Sequence, residues 1–75
     1  MARIRIEVVY ALAAAQDIVS LEMTAGVSAG DAVAASGLLE RHALAERGWR
    51  LGLAGRRILP GRVLSDGDRV ELLRP

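Results

Sequence analysis

Residues 50–75 read RLGLAGRRILPGRVLSDGDRVELLRP, and this stretch decides the fold because turn sequences separate its three short apolar runs. The pair AG at 54–55 follows the first run, and SDGD at 65–68 precedes the last. Each contains a glycine, which takes positive φ angles at little steric cost, so both predict tight turns. Pro60 ends the middle run because it has no N–H for a sheet hydrogen bond. We therefore predict three strands here, at residues 49–53, 57–59 and 70–73.

The first half of the chain supplies two more strands. Residues 3–10 and 17–23 alternate between apolar and polar side chains, which is typical of strands with one buried face. The link at 11–16 has no Asn-Gly or Asp-Gly pair, so we expect a hairpin with a loop of several residues. The predicted inward side chains are Ile4, Ile6, Val8, Val19, Leu21 and Met23 from this hairpin, and Leu51, Leu53, Leu64, Val70 and Leu72 from the second half.

A helix is predicted at residues 29–36. Ser28 is a good N-cap, and Asp31 resembles the acidic member of a capping box, with a charge that suits the helix N-terminus. Gly37 is expected to end the helix in the left-handed conformation. The inner face has small side chains, which lets the helix lie close to the sheet; it comprises Ala29, Ala32, Val33 and Ser36.

The segment after the helix is less regular. Leu38 and Leu39 are expected to close the end of the core. Residues 40–48 are polar and charged, and they fit either a short second helix ended by Gly48 or an ordered loop. Both interpretations stay open. Trp49 is expected to be partly buried, since so small a domain has few large side chains to spare.

These elements predict an α+β fold in a single domain spanning residues 1–75. The order is β-β-α-β-β-β, with a mixed sheet and one main helix packed on one of its faces. A right-handed crossover through the helix lets the first and last strands pair in parallel at the centre of the sheet. This arrangement is a β-grasp, the fold of ubiquitin-like proteins.

Composition excludes several classes of enzyme. The 75-residue chain has no cysteine, one histidine and no lysine, which excludes disulfides, thiolate catalysis, cysteine zinc sites and lysine Schiff bases. Its 52% hydrophobic content favours a folded core, and no apolar run approaches the roughly 18 residues of a membrane span. The net charge of +1 gives no strong field for nucleic acid or membranes. We predict a cytoplasmic protein that is not an enzyme and has no cofactor or metal.

Three features could carry chemistry but have simpler interpretations. His42 has acidic residues near it in sequence but no evident nucleophile or ligand cluster, so we expect a solvated loop histidine. Asp66 and Asp68 lack the full ligand set of a calcium loop, which favours a turn. The AGRR sequence at 54–57 lacks both the Gly-Lys-Ser/Thr pattern and the following helix of a phosphate loop.

Four motifs resemble the RnfH family of small bacterial ubiquitin-like proteins, in the order found in that family. They are IEVVYAL at 6–12, SGLL at 36–39, LGLAGR at 51–56 and SDGDRVELLRP at 65–75. The resemblance covers nearly the whole chain. It implies a non-catalytic ubiquitin-like interaction module, acting as an adaptor for a membrane electron-transport complex or as an antitoxin to a neighbouring toxin-like protein.

Two alternatives belong to other functional classes. The DGDRVE sequence also occurs in the sulfur carriers of thiamine and molybdopterin synthesis, whose Gly-Gly tail is adenylated. This chain has Leu73-Arg74-Pro75 instead, which disfavours a co-substrate of an adenylating enzyme. Gly52 stands where ubiquitin exposes an isoleucine to its partners. A small RNA-binding β-grasp domain is the second alternative, disfavoured by interleaved glutamates and by the lack of aromatic side chains for base stacking.

The strand alternation places arginines and glutamates together on the open face of the predicted sheet. Cross-strand ion pairs on a solvated face are the simpler interpretation, and protein binding is the functional one because arginine is enriched at interface hot spots. We expect a protein partner, no membrane insertion, and a monomer or weak dimer, while nucleic acid is disfavoured. The predicted partner-binding residues are Arg3, Arg5, Glu7, Arg50, Arg69, Glu71 and Leu73.

Overall fold

A computed structural model describes residues 2–11, 14–44 and 49–73 of the chain. The elements in chain order are β1 (Arg3–Ala11), β2 (Gln16–Thr24), α1 (Ala29–Ser36), α2 (Leu38–Arg41), β3 (Arg50–Leu53), β4 (Arg56–Ile58) and β5 (Arg69–Leu73). Each predicted strand and the predicted main helix are present, with bounds that agree to within one residue. The prediction of an α+β fold is confirmed.

The strands form a five-stranded mixed sheet in the order β2-β1-β5-β3-β4. β1 and β5 pair in parallel at its centre, from Glu7 opposite Arg69 to Tyr10 opposite Leu72. The other neighbours are antiparallel. The central parallel pair is the one predicted from the crossover, and with the helix on one face it confirms the β-grasp topology.

The acidic turn before β5 fastens that strand to β1. The backbone N–H of Arg5 donates to Asp66 Oδ1 at 2.7 Å, and the N–H of Gly67 donates back to the Arg5 carbonyl at 2.8 Å. Asp68 Oδ2 accepts from the N–H of Ser65 at 2.8 Å, which closes the turn. Gly67 has a φ of 87°, as predicted for a glycine turn. Both carboxylates therefore serve the backbone, and the turn interpretation is confirmed.

Helix α1 is capped as the sequence predicts. Ser28 Oγ accepts from the N–H of Asp31 at 3.1 Å, and Asp31 Oδ2 accepts from the N–H of Ser28 at 3.3 Å. Gly37 ends the helix with a φ of 73°. Gly30 allows the helix to approach Pro60 closely, because a Cβ at position 30 would lie 3.2 Å from the Cβ of Pro60. The predicted small inner face is confirmed, since its buried residues are Ala29, Ala32, Val33 and Ser36.

The core lies between α1 and one face of the sheet. Trp49 and Leu53 are partly buried and pack against it, as does the inner row of β2. Trp49 is thus placed as predicted. The buried apolar residues that form the core cluster are Ile4, Ile6, Val8, Tyr10, Ala29, Ala32, Val33, Leu38, Leu44, Leu51, Ile58, Leu64, Val70 and Leu72.

The segment after α1 holds a short helix that begins earlier than predicted. α2 starts at Leu38, directly after the left-handed Gly37, and ends at Arg41. The N–H of Leu44 then bonds to the carbonyl of Leu39 at 2.8 Å, the helix-ending pattern that needs a left-handed residue between them. Leu44 is 2% exposed and plugs the end of the core. Residues 45–48, including the predicted stop at Gly48, lie outside the described residues.

The β3–β4 hairpin turns on two residues with positive φ. Ala54 has a φ of 51° and Gly55 a φ of 78°, the combination of a type I′ turn. β4 begins at Arg56, one residue earlier than predicted. The prediction of a strand reaching Leu59 is wrong, since Leu59 lies outside β4 and is 79% exposed. Arg56 and Arg57 both belong to β4.

Replacing Ala54 with asparagine should stabilise the protein. An L-residue with a Cβ pays a conformational cost at positive φ that asparagine partly avoids, and Asn-Gly is a preferred type I′ pair. We expect Ala54→Asn to raise the free energy of unfolding by about 0.5–1 kcal/mol, a rise of several degrees in Tm. Ala54→Val, a β-branched residue at the same φ, should lower it. Thermal unfolding followed by circular dichroism measures both, and a lower Tm for Ala54→Asn would contradict the turn assignment.

Candidate functional site

The predicted partner-binding residues lie on the face of the sheet opposite α1. Arg3, Arg5 and Glu7 alternate with the buried residues of β1, and the strand register sets Glu7 beside Arg69 and Arg50 beside Leu73. Within the described ranges, no helix covers this face, because the core that α1 closes is on the other side. We call it the open face, and its predicted members are Arg3, Arg5, Glu7, Arg50, Arg69, Glu71 and Leu73.

Two ion pairs cross the polar end of the open face. Arg69 Nη2 lies 3.0 Å from Glu7 Oε1 on the neighbouring strand, and Arg3 Nε lies 3.3 Å from Glu22 Oε1. The arginines are more than half exposed, and such pairs typically contribute about 0–1 kcal/mol. The cross-strand interpretation is confirmed for these four residues. The pairs are also weak enough to rearrange when another molecule approaches.

Other arginines of the open face lack such a partner. Arg5, Arg50 and Arg57 are exposed, and among the described residues none of them has a carboxylate within the 4.0 Å of an ion pair. Arg57 stands opposite Gly52 on β3, and Gly52 stands opposite Glu71 on β5. Gly52 has no side chain, so no β3 side chain stands between the arginine and the glutamate on this face.

The open face has an apolar end. Ile18 of β2 is 43% exposed and Leu73 is 40% exposed. Val9 lies opposite Ile18 and is 3% exposed, so it forms the floor of this end. A Cβ at Gly52 would lie 3.4 Å from Leu73 Cδ1, which shows that the leucine leans over the bare backbone. The open face thus combines exposed apolar side chains with cations.

Sequence reasoning missed three members of this face. Ile18 lies in the outward row of β2, and Val9 lies in the outward row of β1; the alternation that assigned their neighbours could have found both. Arg57 lies in the predicted fourth strand, and its position before the inward Ile58 places it in the outward row. The open face therefore extends to both edges of the sheet.

The prediction of a solvated loop histidine at position 42 is wrong. His42 ends α2, its Nε2 lies 2.8 Å from Asp17 Oδ2, and its side chain is 19% exposed. Its ring centroid lies 4.6 Å from that of Tyr10. Arg41 Nη1 donates to both Asp17 oxygens, at 2.8 and 2.9 Å. One carboxylate thus fastens the end of α2 to the β1–β2 hairpin, which local sequence could not reveal because the two elements are remote in the chain.

The Asp17 cluster is a structural junction. The hydrogen bond with His42, together with the hydrogen bond from Arg41, holds the pKa of the Asp17 carboxyl below its ordinary value. No serine, threonine or further acid joins the bonds that the described residues make there. Across residues 2–11, 14–44 and 49–73, no three histidine, aspartate or glutamate side chains gather as metal ligands would.

Comparison with known proteins identifies the family. The sequence profile described as RnfH family Ubiquitin matches residues 4–75. The chain belongs to the RnfH family. Protein RnfH of Halorhodospira halophila is 45% identical over 71 residues, which cover 93% of this chain and 73% of the relative. Protein RnfH of Serratia proteamaculans is 43% identical over 76 residues, which cover 100% of this chain and 81% of the relative.

Solved structures show how the RnfH-family chain relates to other β-grasp proteins. The ubiquitin of Caldiarchaeum subterraneum superposes with a TM-score of 0.70 at 19% identity, covering 99% of this chain and 95% of that one. SAMP1 from Haloferax volcanii gives a TM-score of 0.71 at 20% identity, covering 95% and 94%. At this identity the likeness establishes a ubiquitin-like fold. In the described parts of the chain, no helix has the length and apolar character needed to cross a bilayer.

The Asp17 junction should give this RnfH-family protein a pH-dependent stability. Because folding lowers the pKa of Asp17, its contribution is present above the ordinary carboxyl pKa near 4 and is lost as pH falls through the lowered value. Asp17→Asn should therefore lower Tm at pH 7, and its difference from the native protein should shrink below about pH 4.

A matched carboxylate provides the control for this measurement. Glu40 is exposed on α2, and its side chain makes no hydrogen bond to another described residue. Glu40→Gln should leave Tm nearly unchanged at pH 7. Thermal scans between pH 7 and pH 3 check the prediction, and a constant gap between the native protein and Asp17→Asn would refute it.

Proposed function

We propose that this RnfH-family chain is a cytoplasmic, non-catalytic module that binds another protein through its open face. The observation that carries the proposal is the side-chain composition of that face. Arg5, Arg50 and Arg57 lack intramolecular ion pairs among the described residues, and they stand on the same surface as the exposed Ile18 and Leu73. Arginines beside apolar anchors are the chemistry from which protein interfaces draw most of their binding energy.

The geometry also favours a partner over a substrate. The sheet side chains present a broad surface, and small-molecule sites are instead concave with convergent polar groups. Leu73 covers the backbone of Gly52 between Glu71 and Arg57, which makes this part of the face a flat apolar contact area. We infer a partner surface with carboxylates around one or two apolar side chains, since arginines outnumber glutamates on the open face.

The role within the cell follows from which protein is bound. The resemblance to the RnfH family supports two versions of the same module: an adaptor for a membrane electron-transport complex, and an antitoxin that occupies a neighbouring toxin-like protein. Both require a tight protein contact and neither requires chemistry by this chain. The identity of the captured partner separates them.

Affinity capture from a native lysate tests the proposal. The bait is the full chain, compared with Arg50→Glu and with Arg69→Glu, which reverse one unpaired and one paired arginine of the open face. We expect at least one protein to be enriched by the native chain and to fall about tenfold or more with Arg50→Glu, since loss of a central arginine contact commonly costs more than 1 kcal/mol.

Arg62→Glu is the matched control. It makes the same charge change on an exposed loop residue whose carbonyl accepts from the N–H of Ala29, beside the start of α1 and away from the open face. A partner kept by Arg62→Glu and lost with Arg50→Glu supports the proposal. Equal capture by the native chain and both open-face variants, or no specific capture at all, would overturn it.

A further inference from the structure

Strand β2 leaves a long free edge on the sheet. It is nine residues long, and in the parts of the chain that the structure describes it pairs only with β1, from Gln16 opposite Ala11 to Thr24 opposite Arg3. The register has no bulge, because each residue of one strand faces one residue of the other. The N–H of Ala25 donates to the carbonyl of Ala2 at 2.9 Å just beyond this ladder. Since hydrogen-bonded pairs alternate, the N–H and C=O groups of residues 18, 20 and 22 point away from β1.

The edge of β2 carries little of the protection that free edges usually have. Its sequence QDIVSLEMT contains no proline, glycine, lysine or arginine. Among the described residues, Arg3 partly blocks this edge, because its Nη2 donates to the outward-facing carbonyl of Glu22 at 3.0 Å. The opposite edge contrasts with it, because β4 has three residues, two of them arginines, and is soon followed by Pro60. The sheet is thus guarded on one side and open on the other.

The side of β2 that faces α1 is also incompletely covered. Val19, Leu21 and Met23 point toward the core, yet all three are only partly buried, whereas Ile6 and Val8 on the neighbouring strand are fully buried. A further strand beside β2 would shield this apolar row from solvent. Its backbone would also form hydrogen bonds with the outward N–H and C=O groups of β2. Both gains come from the same docking event.

We propose that the β2 edge binds a second copy of this chain, in an antiparallel β2–β2 pairing centred on Ser20 that joins the two sheets into one. A twofold axis at Ser20 sets Val19 opposite Leu21 of the second copy, so four partly buried apolar side chains meet. A second copy fits this edge because its own partly buried apolar row meets the same row of the first, and the charges of the two strands do not clash. In this register Glu22 faces Ile18 of the second copy and Asp17 faces its Met23, so no two carboxylates stand opposite each other.

This pairing closes on itself. Each copy uses its β2 edge, and the two outer edges of the joined sheet are both β4, with their arginines. The result is a dimer rather than a growing fibre. The pairing is independent of the proposed function, because Arg5, Arg50 and Leu73 lie on strands away from the axis and stay accessible on the joined open face.

Sedimentation velocity of the full chain tests this proposal, with protein from about 10 μM to about 1 mM to cover weak association. We expect dimers to form across this range. Ser20 meets its own copy at the axis, so Ser20→Arg and Ser20→Asp should each weaken the dimer at least tenfold by placing like charges in contact. Mixing the two variants should restore dimers, because opposite charges then meet. Ser20→Thr should keep the native behaviour.

Each outcome is decisive. If each variant is monomeric by itself and the mixture forms dimers, the β2 pairing and its register are supported. Opposite charges at position 20 can restore the dimer only if the two copies meet there. A native chain that stays monomeric up to about 1 mM overturns the proposal, as does a dimer that Ser20→Arg leaves intact. If hydrogen exchange shows that the β2 edge amides become protected only when another protein is added, the edge belongs to that protein and the proposed dimer is wrong. Circular dichroism of each variant verifies that the fold is retained.

Discussion

The parallel pairing of β1 and β5 is the constraint on which the rest of the structure depends. These two strands come from opposite ends of the described chain, and the backbone of Arg5 is held by Asp66 and Gly67 before the pairing begins. A parallel pair requires a crossover, and the segment containing α1 supplies it on one face of the sheet. The described residues form no covering layer on the other face. The open face is therefore a consequence of the topology, and side chains decide how it is used.

The side chains of the open face contribute little to the stability of the fold. The ion pairs of Arg3 with Glu22 and of Arg69 with Glu7 are exposed and individually weak, and Gly52 contributes no side chain to the face. Stability comes from the other face, where small residues of α1 allow close packing on the sheet. This separation lets the side chains of the open face vary without loss of the fold.

Much of the fold could be predicted because it is encoded locally. Ser28, Asp31 and Gly37 set both ends of α1 through hydrogen bonds and φ angles that involve only near neighbours, and Gly67 sets the last turn in the same way. The outward arginines followed from strand alternation. What escaped was the partnership of remote residues, above all the contact of His42 with Asp17. Two further features, the four-residue helix α2 and the partly uncovered edge of β2, also depend on tertiary packing. Short sequence patterns could not predict them.

Hydrogen exchange of the backbone amides, followed by NMR, tests the central claim most directly. If the β1–β5 pair holds the sheet together, the amides of Val9, Val70 and Leu72 should be among the last to exchange, opening only with global unfolding. Amides of α1 and β4 should exchange earlier through local opening. Protection in α1 that outlasts the central strands, or rapid exchange along β5, would contradict the account.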